Sequence, residues 1–192
     1  MKKIILLLFV NCTLNLFCQE RLTLDRLASK YTLSSFEGFK KLLSIPNDAN
    51  EKIGIEKNIA WTEEEFGKRG FQVSKIMTEG APLLLAKRDF TSKGKTVLIY
   101  LQMDGQPVDP SKWNQDNPYS PVLKKRSSSG NWETINWEEI YKYDDDWRIF
   151  ARSASDAKGP VSMFLAAIDA IDENRITPNF NVKVILDFEE EM

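Results

Sequence analysis

Apolar residues fall at helical spacing from Leu22 to Leu43 (Leu22, Leu27, Phe36, Phe39, Leu42, Leu43), with a polar interruption at Ser34-Ser35 and a stop at Ile45-Pro46. The pattern predicts one or two helices ended by proline. A second helix is predicted over residues 53–68, with Ile55, Ile59, Ala60 and Phe66 on one face and Glu56, Glu63, Glu64 and Lys68 on the other. Gly67 and Gly70 bracket its end. The period then shortens. Apolar runs at 71–76, 83–87 and 96–101, separated by Gly80-Ala81-Pro82 and Ser92-Lys93-Gly94-Lys95, predict strands joined by turns. Residues 109–146 are rich in Pro, Ser, Asn and Trp and have no period, which predicts a long irregular surface excursion with a short hairpin around Trp132 and Trp137. Order resumes at 147–151. A helix follows from Pro160 to about residue 171, with Val161, Phe164, Leu165 and Ile168 on its apolar face and proline at its first position. Residues 182–188 read as a last strand, ending at Glu189-Glu190-Glu191. Strands alternating with helices indicate an α/β fold, and no internal repeat is present.

Composition narrows the class. With 192 residues and 42% hydrophobic content the chain has enough apolar material for one ordinary core. Lys2 and Lys3, the apolar run 4–10 and a mixed stretch ending at Cys18 have the regions of a secretory signal, so residues 1–18 are expected to be removed and the mature chain to begin near Gln19, secreted or periplasmic. The apolar run is far shorter than the ~20 residues of a spanning helix, so no stable membrane span is expected after cleavage. A lipoprotein reading would modify Cys18, but Leu16 and Phe17 are bulky where small residues are usual. Both cysteines, Cys12 and Cys18, lie in the signal, which excludes a disulfide or a thiolate zinc site in the mature chain. Loss of the two lysines takes the formal charge from −2 to −4 with no basic stripe, so nucleic acid is not an expected partner.

The candidate chemistry is carboxylate chemistry, because the chain has no histidine. In open α/β sheets ligands bind beyond the carboxyl ends of the strands. Asp104 follows one apolar strand, and Glu190 and Glu191 follow another. Taken alone, Asp104 is better explained as a turn or cap residue. Asp156, in Ser155-Asp156-Ala157-Lys158-Gly159-Pro160, is equally well explained as a helix cap. Three successive glutamates are usually a solvated cluster, but at the end of a core strand they repel one another unless a cation is present.

Five segments in order carry a resemblance to the zinc-dependent aminoacylase/carboxypeptidase family, which includes acetylornithine deacetylase, succinyl-diaminopimelate desuccinylase, glutamate carboxypeptidase and carnosinase-type dipeptidases. They are Leu42-Leu43-Ser44-Ile45-Pro46; Phe66-Gly67-Lys68-Arg69-Gly70-Phe71; Trp113 through Pro118-Tyr119; Ala151-Arg152-Ser153 with the following Asp156 loop; and the terminal Glu-Glu pair. The resemblance implies a mixed, mostly parallel sheet flanked by helices, and two zinc ions, with cobalt or manganese as alternatives. It implies a peptide or N-acyl amino acid substrate cleaved at an amide bond. By the same resemblance Asp156 is the bridging metal ligand, Glu191 a second ligand and Glu190 the general base. Asp104 is the catalytic-site aspartate that orients the first ligand.

That first ligand is histidine in the family's His-x-Asp motif, and here the register reads Gln102-Met103-Asp104. Amide oxygen is a poorer zinc ligand than imidazole nitrogen. Three readings follow: Gln102 is a weak metal ligand, Asp104 binds metal directly, or this relative has lost zinc chemistry. The family's later ligands and its dimerising lid would lie after Met192. The chain is therefore expected to be the N-terminal part of a catalytic domain (19–192, with the insertion at 109–146), inactive by itself, from an exported hydrolase that forms a homodimer through the lid. The competing expectation is a catalytically lapsed relative that binds peptides or serves assembly.

Overall fold

The structure, a computed structural model, describes residues 24–192, and the signal segment read at 1–18 lies outside them. Helix α1 (residues 24–43) is unbroken. The interruption expected at Ser34-Ser35 does not occur, because Ser34 Oγ donates to Tyr31 O (3.0 Å) and Ser35 Oγ to Thr32 O (2.8 Å). The hydroxyls are thus satisfied by the helix's own carbonyls. Helix α2 (Lys52–Lys68) buries Ile55, Ile59 and Phe66. Gly67 falls inside it, and Gly70, at φ +74°, alone marks the reversal into the next strand.

The main sheet has the order β1-β2-β7-β3, from β1 (Gln72–Ile76), β2 (Leu83–Arg88), β3 (Lys95–Gln102) and β7 (Phe180–Asp187). It is mixed, as expected, but among the described strands only β3 and β7 pair in parallel; β1 with β2 and β2 with β7 are antiparallel. The majority-parallel expectation is corrected by connectivity. A short turn joins β1 to β2 as a hairpin, whereas a parallel neighbour needs a crossover. Only β3 to β7 has one, through α3 (Lys158–Glu173). Helix α3 begins two residues earlier than expected. Pro160 sits inside its first turn, where a missing N–H costs no intrahelical bond.

Register decides which side chains meet. Leu84, Ala86, Val182, Val184 and Leu186 alternate along β2 and β7 and are buried against Ile55, Ile59 and Phe66 of α2 and Val161, Leu165 and Ile168 of α3. Phe66, Phe71 and Phe164 close that core, with ring centroids 5.3 to 5.9 Å apart. The intervening positions, Leu85, Ile185, Leu98 and Tyr100, point to the opposite face. No described helix covers them as completely: Leu98 is 61% exposed and Tyr100 51%.

The stretch expected to be irregular apart from a short hairpin holds β4 (Val122–Arg126) and β5 (Trp132–Ile135), and β6 (Arg148–Phe150), where order was expected to resume, joins them in a second sheet ordered β5-β4-β6. Its strands hide from a periodicity search because lysine and arginine are stacked on aromatics: Lys124 lies 4.6 Å from the Phe150 ring and Arg126 4.4 Å from Trp132. The hairpin turns at Gly130, while Trp137 opens a 3-10 helix (Trp137–Lys142) and donates through Nε1 to Pro121 O (2.9 Å). Among the described residues no helix is long and apolar enough to cross a membrane.

Candidate active site

Strands β3 and β7 run parallel and end together, with Gln102 opposite Asp187. The Met103 N–H still donates to Asp187 O (2.8 Å), and its side chain enters the core. Asp104 follows and is 1% exposed. Its Oδ2 accepts the Glu191 backbone N–H at 2.9 Å, and its Oδ1 is buried with no partner among the described residues. Burial pushes its carboxyl above the usual range, against the backbone N–H groups that pull it down, and the charge of Asp187 adds to the rise.

The three glutamates divide their work. Glu189 is a latch: Oε2 accepts the Ala81 N–H (2.8 Å), and a side chain on Gly80 would collide with the same carboxylate. Glu191 Oε2 accepts from Gln106 Nε2 at 2.9 Å. Glu190 is exposed, and its carboxyl is raised first by partial desolvation and then by Glu191, Asp104, Asp156 and Asp187. Asp104, Asp156, Glu190 and Glu191, drawn from three separate segments, therefore share one end of the sheet. Gln102 is half-buried at the end of β3, beside Asp187 on the open face.

Several supporting residues were not singled out by sequence. Tyr100 donates its hydroxyl to Asp187 Oδ2 (2.8 Å), and desolvation, followed by that hydrogen bond and nearby acids, pushes its phenol up to about 12. Period-two alternation places Tyr100, Gln102 and Asp187 on one face and is the signal that could have found them. Asn47, fully buried after Ile45-Pro46, donates through Nδ2 to Met103 O (2.8 Å) and to Ser153 Oγ (3.0 Å). It also accepts the Gly105 N–H at its backbone oxygen (2.9 Å). These bonds bring residues 47, 103–105 and 153 together. A Cβ on Gly105 would stand 2.6 Å from Ser153 Oγ, so the approach requires glycine. Lys158 is fully buried, and its ammonium donates to Leu42 O (2.9 Å) and Ile45 O, tying the end of α1 to the start of α3 just after Asp156. Burial brings it down to about 7. Beside the latch a cleft of about 660 Å³ opens between Ile55 and Ile59 of α2 and Met77, Pro82 and Glu189. That volume suits a small organic ligand.

The donor chemistry tests whether a metal fits. Asp156, Glu191 and Gln102 offer oxygen only, and among the described residues no three His, Cys, Asp or Glu side chains are grouped so as to hold an ion. A catalytic zinc takes three protein ligands besides water. The described residues therefore do not by themselves form a zinc site; what they show at this strand end is an excess of negative charge and a buried Asp104 carboxylate oxygen left unpaired.

No family model matches the chain, and no curated protein matches it in sequence. Solved structures do match. The dipeptidase Dug1p from Saccharomyces cerevisiae superposes with a TM-score of 0.65 at 15% identity, over 84% of this chain and 33% of its own. Human carnosine dipeptidase 1 gives 0.64 at 18%, over 85% and 34%. The M20 family metallo-carboxypeptidase Sso-CP2 from Sulfolobus solfataricus gives 0.61 at 30%, over 81% and 31%. The fold is that of the M20 metallopeptidases. The likenesses at 15 and 18% concern the fold alone. The chain spans about a third of the length of each of these three proteins.

Proposed function

We propose that this chain is part of an exported, metal-dependent hydrolase of amide bonds in peptides or N-acyl amino acids, with Glu190 as general base. The observation that carries the reading is the shared end of β3 and β7, where the Asp104–Glu191 hydrogen bond fixes the glutamate turn and leaves the Glu190 carboxylate exposed beside Asp156 and Glu191. An exposed carboxylate raised by partial desolvation and then by surrounding acids is a better proton acceptor toward water than an ordinary one. Asp104 acts by position, holding the Glu191 backbone, and Tyr100 and Gln106 hold Asp187 and Glu191. Asp156 and Glu191, with the Gln102 amide oxygen, are the residues that would hold a divalent ion, zinc or its cobalt and manganese substitutes, and such an ion supplies polarisation of the scissile carbonyl and of water. Donors elsewhere in the polypeptide would complete that set, and a homodimer of the whole protein belongs to the same reading.

The test uses the longest polypeptide that the gene encodes, assayed on dipeptides and N-acyl amino acids with zinc, cobalt and manganese. Glu190→Gln should lower turnover about 10²- to 10⁴-fold. Gln102 favours a second reading, a lapsed relative that keeps the cleft to bind peptides, since histidine is absent from the chain. Peptide binding without turnover under every metal would establish that alternative and dismiss the hydrolase.

A further inference from the structure

Helix α1 and the second sheet meet around a cavity of about 250 Å³. Four aromatic rings line it: Phe36 and Phe39 from α1, and Tyr143 and Trp147 from the segment between the 3-10 helix and β6. Each is half-buried, and the Phe36 and Tyr143 rings meet edge to face with centroids 5.9 Å apart. Elsewhere around the second sheet the rings carry cations of the chain's own. Lys40 lies 5.0 Å from Trp137, Arg126 4.4 Å from Trp132 and Lys124 4.6 Å from Phe150. Among the described residues no cation lies over any of the four cavity rings. Asp144 and Arg148 also line the space. Arg148 is spent on the turn, since its Nη1 donates to Asp145 O (2.5 Å) and Trp147 O (2.7 Å). Asp144 is exposed and holds the same turn by accepting the Asp146 N–H at Oδ1 (2.9 Å).

Charge around the cavity is one-sided. Glu138, Glu139, Asp144, Asp145 and Asp146 stand against Lys142 and Arg148, and none of these acids forms an ion pair among the described residues. Packing of α1 on the sheet accounts for Phe36 against Tyr143. It does not account for an open space walled by rings, because packed interiors leave few voids larger than a water. The faces of aromatic rings are negative and attract organic cations, and a box of such rings is a receptor for quaternary ammonium groups. The volume is below the ~300–1,000 Å³ of pockets for drug-sized ligands and suits a single head group. We propose that the cavity binds an alkylated ammonium such as trimethylammonium, with Trp147 and Tyr143 as its aromatic walls and Asp144 as its counter-charge. The acidic rim disfavours a phosphate beside the cation, so the ligand is a free alkylammonium rather than a phosphocholine head group. Ala154 and Ser155 close the cavity immediately before Asp156, so a ligand there adjoins the loop that carries Asp156. Binding of this kind does not require the hydrolase reading to hold.

The experiment titrates the full polypeptide calorimetrically with choline and with its neutral isostere, in which carbon replaces the quaternary nitrogen. The wild type should bind choline about tenfold or more tightly than the isostere, the size of cation–π attraction in a partly desolvated box. Trp147→Leu keeps an apolar wall and should erase the preference by weakening choline alone. Asp144→Asn, at an exposed position, should weaken choline several-fold and leave the isostere unchanged. Phosphocholine should bind more weakly than choline. Equal binding of choline and the isostere by the wild type, no binding of choline at millimolar concentration, a preference that survives Trp147→Leu, or phosphocholine bound as tightly as choline overturns the proposal.

Discussion

The two faces of the main sheet are built from the same strands yet live in different surroundings. On one, Leu84, Ala86, Val182, Val184 and Leu186 are sealed under α2 and α3. On the other, Leu85 and Ile185 are half-buried and Leu98 and Tyr100 are mostly exposed. Parallel strand pairs normally occur where both faces are covered. The covered face carries the core and the open face carries Gln102, Tyr100 and Asp187 at its carboxyl end, so side-chain parity separates the packed residues from the polar ones at the strand ends. One residue of slip in β3 would exchange the two sets.

The largest expected effect breaks this comparison directly. Leu84→Ala, on the covered face, should cost about 2–5 kcal/mol in urea unfolding, as buried leucine truncations do. Leu98→Ala should stay within about 0.5 kcal/mol, the range of surface changes. Equal losses would mean that the open face is packed in solution. Next in size is the open face's chemistry. Gln102→His in the full polypeptide should tighten its weaker metal site by about tenfold or more, because imidazole is the better zinc ligand and Asp104 Oδ1 is free to orient it. Two equally tight ions in the wild type, or no gain in the variant, would show that Gln102 does not replace a ligand. The smallest effect lies on α2, at Glu65. Burial raises its carboxyl, but hydrogen bonds from Lys68 and Arg69 outweigh that and lower it. A carboxyl lower in the folded state than in the unfolded one stabilises the fold above its unfolded value and loses that stabilisation as pH falls through the folded one. Glu65→Gln should therefore be less stable than wild type at neutral pH by under about 1 kcal/mol, and the gap should close in acid. Urea midpoints at successive pH values would show it.

Much of the main sheet was legible because apolar runs set off by glycine and proline turns leave few alternatives, and β2 and β7 lie within a residue or two of where the pattern puts them. The length of α2 was legible for a similar reason: its apolar stripe repeats without interruption. Strand direction was not, because neighbour choice depends on which connections are long enough to cross over. Nor was the second sheet, whose Lys124 and Arg126 read as surface residues until their stems are seen lying on Phe150 and Trp132. At the site, carboxylates following strands could be picked out one by one. Asn47 could not, since its significance comes from a partner 56 residues away.

Arg152, in the loop after β6, donates through Nη2 to Gln106 O (2.6 Å) and through its backbone N–H to Pro118 O (2.7 Å). The whole excursion that carries the second sheet leaves the main body at Gln106 and returns at Arg152, and its two ends are fastened to each other and again at Pro118. Such a lobe is a cassette on a closed clasp. Its far turn at Gly130 could accept extra residues at about 0.6 kcal/mol per doubling of the loop, because the clasp, rather than the length of the cassette, sets the position of the chain where it re-enters. Inherited or engineered variation in that lobe can therefore accumulate without disturbing the place where Asp104 and Glu191 meet.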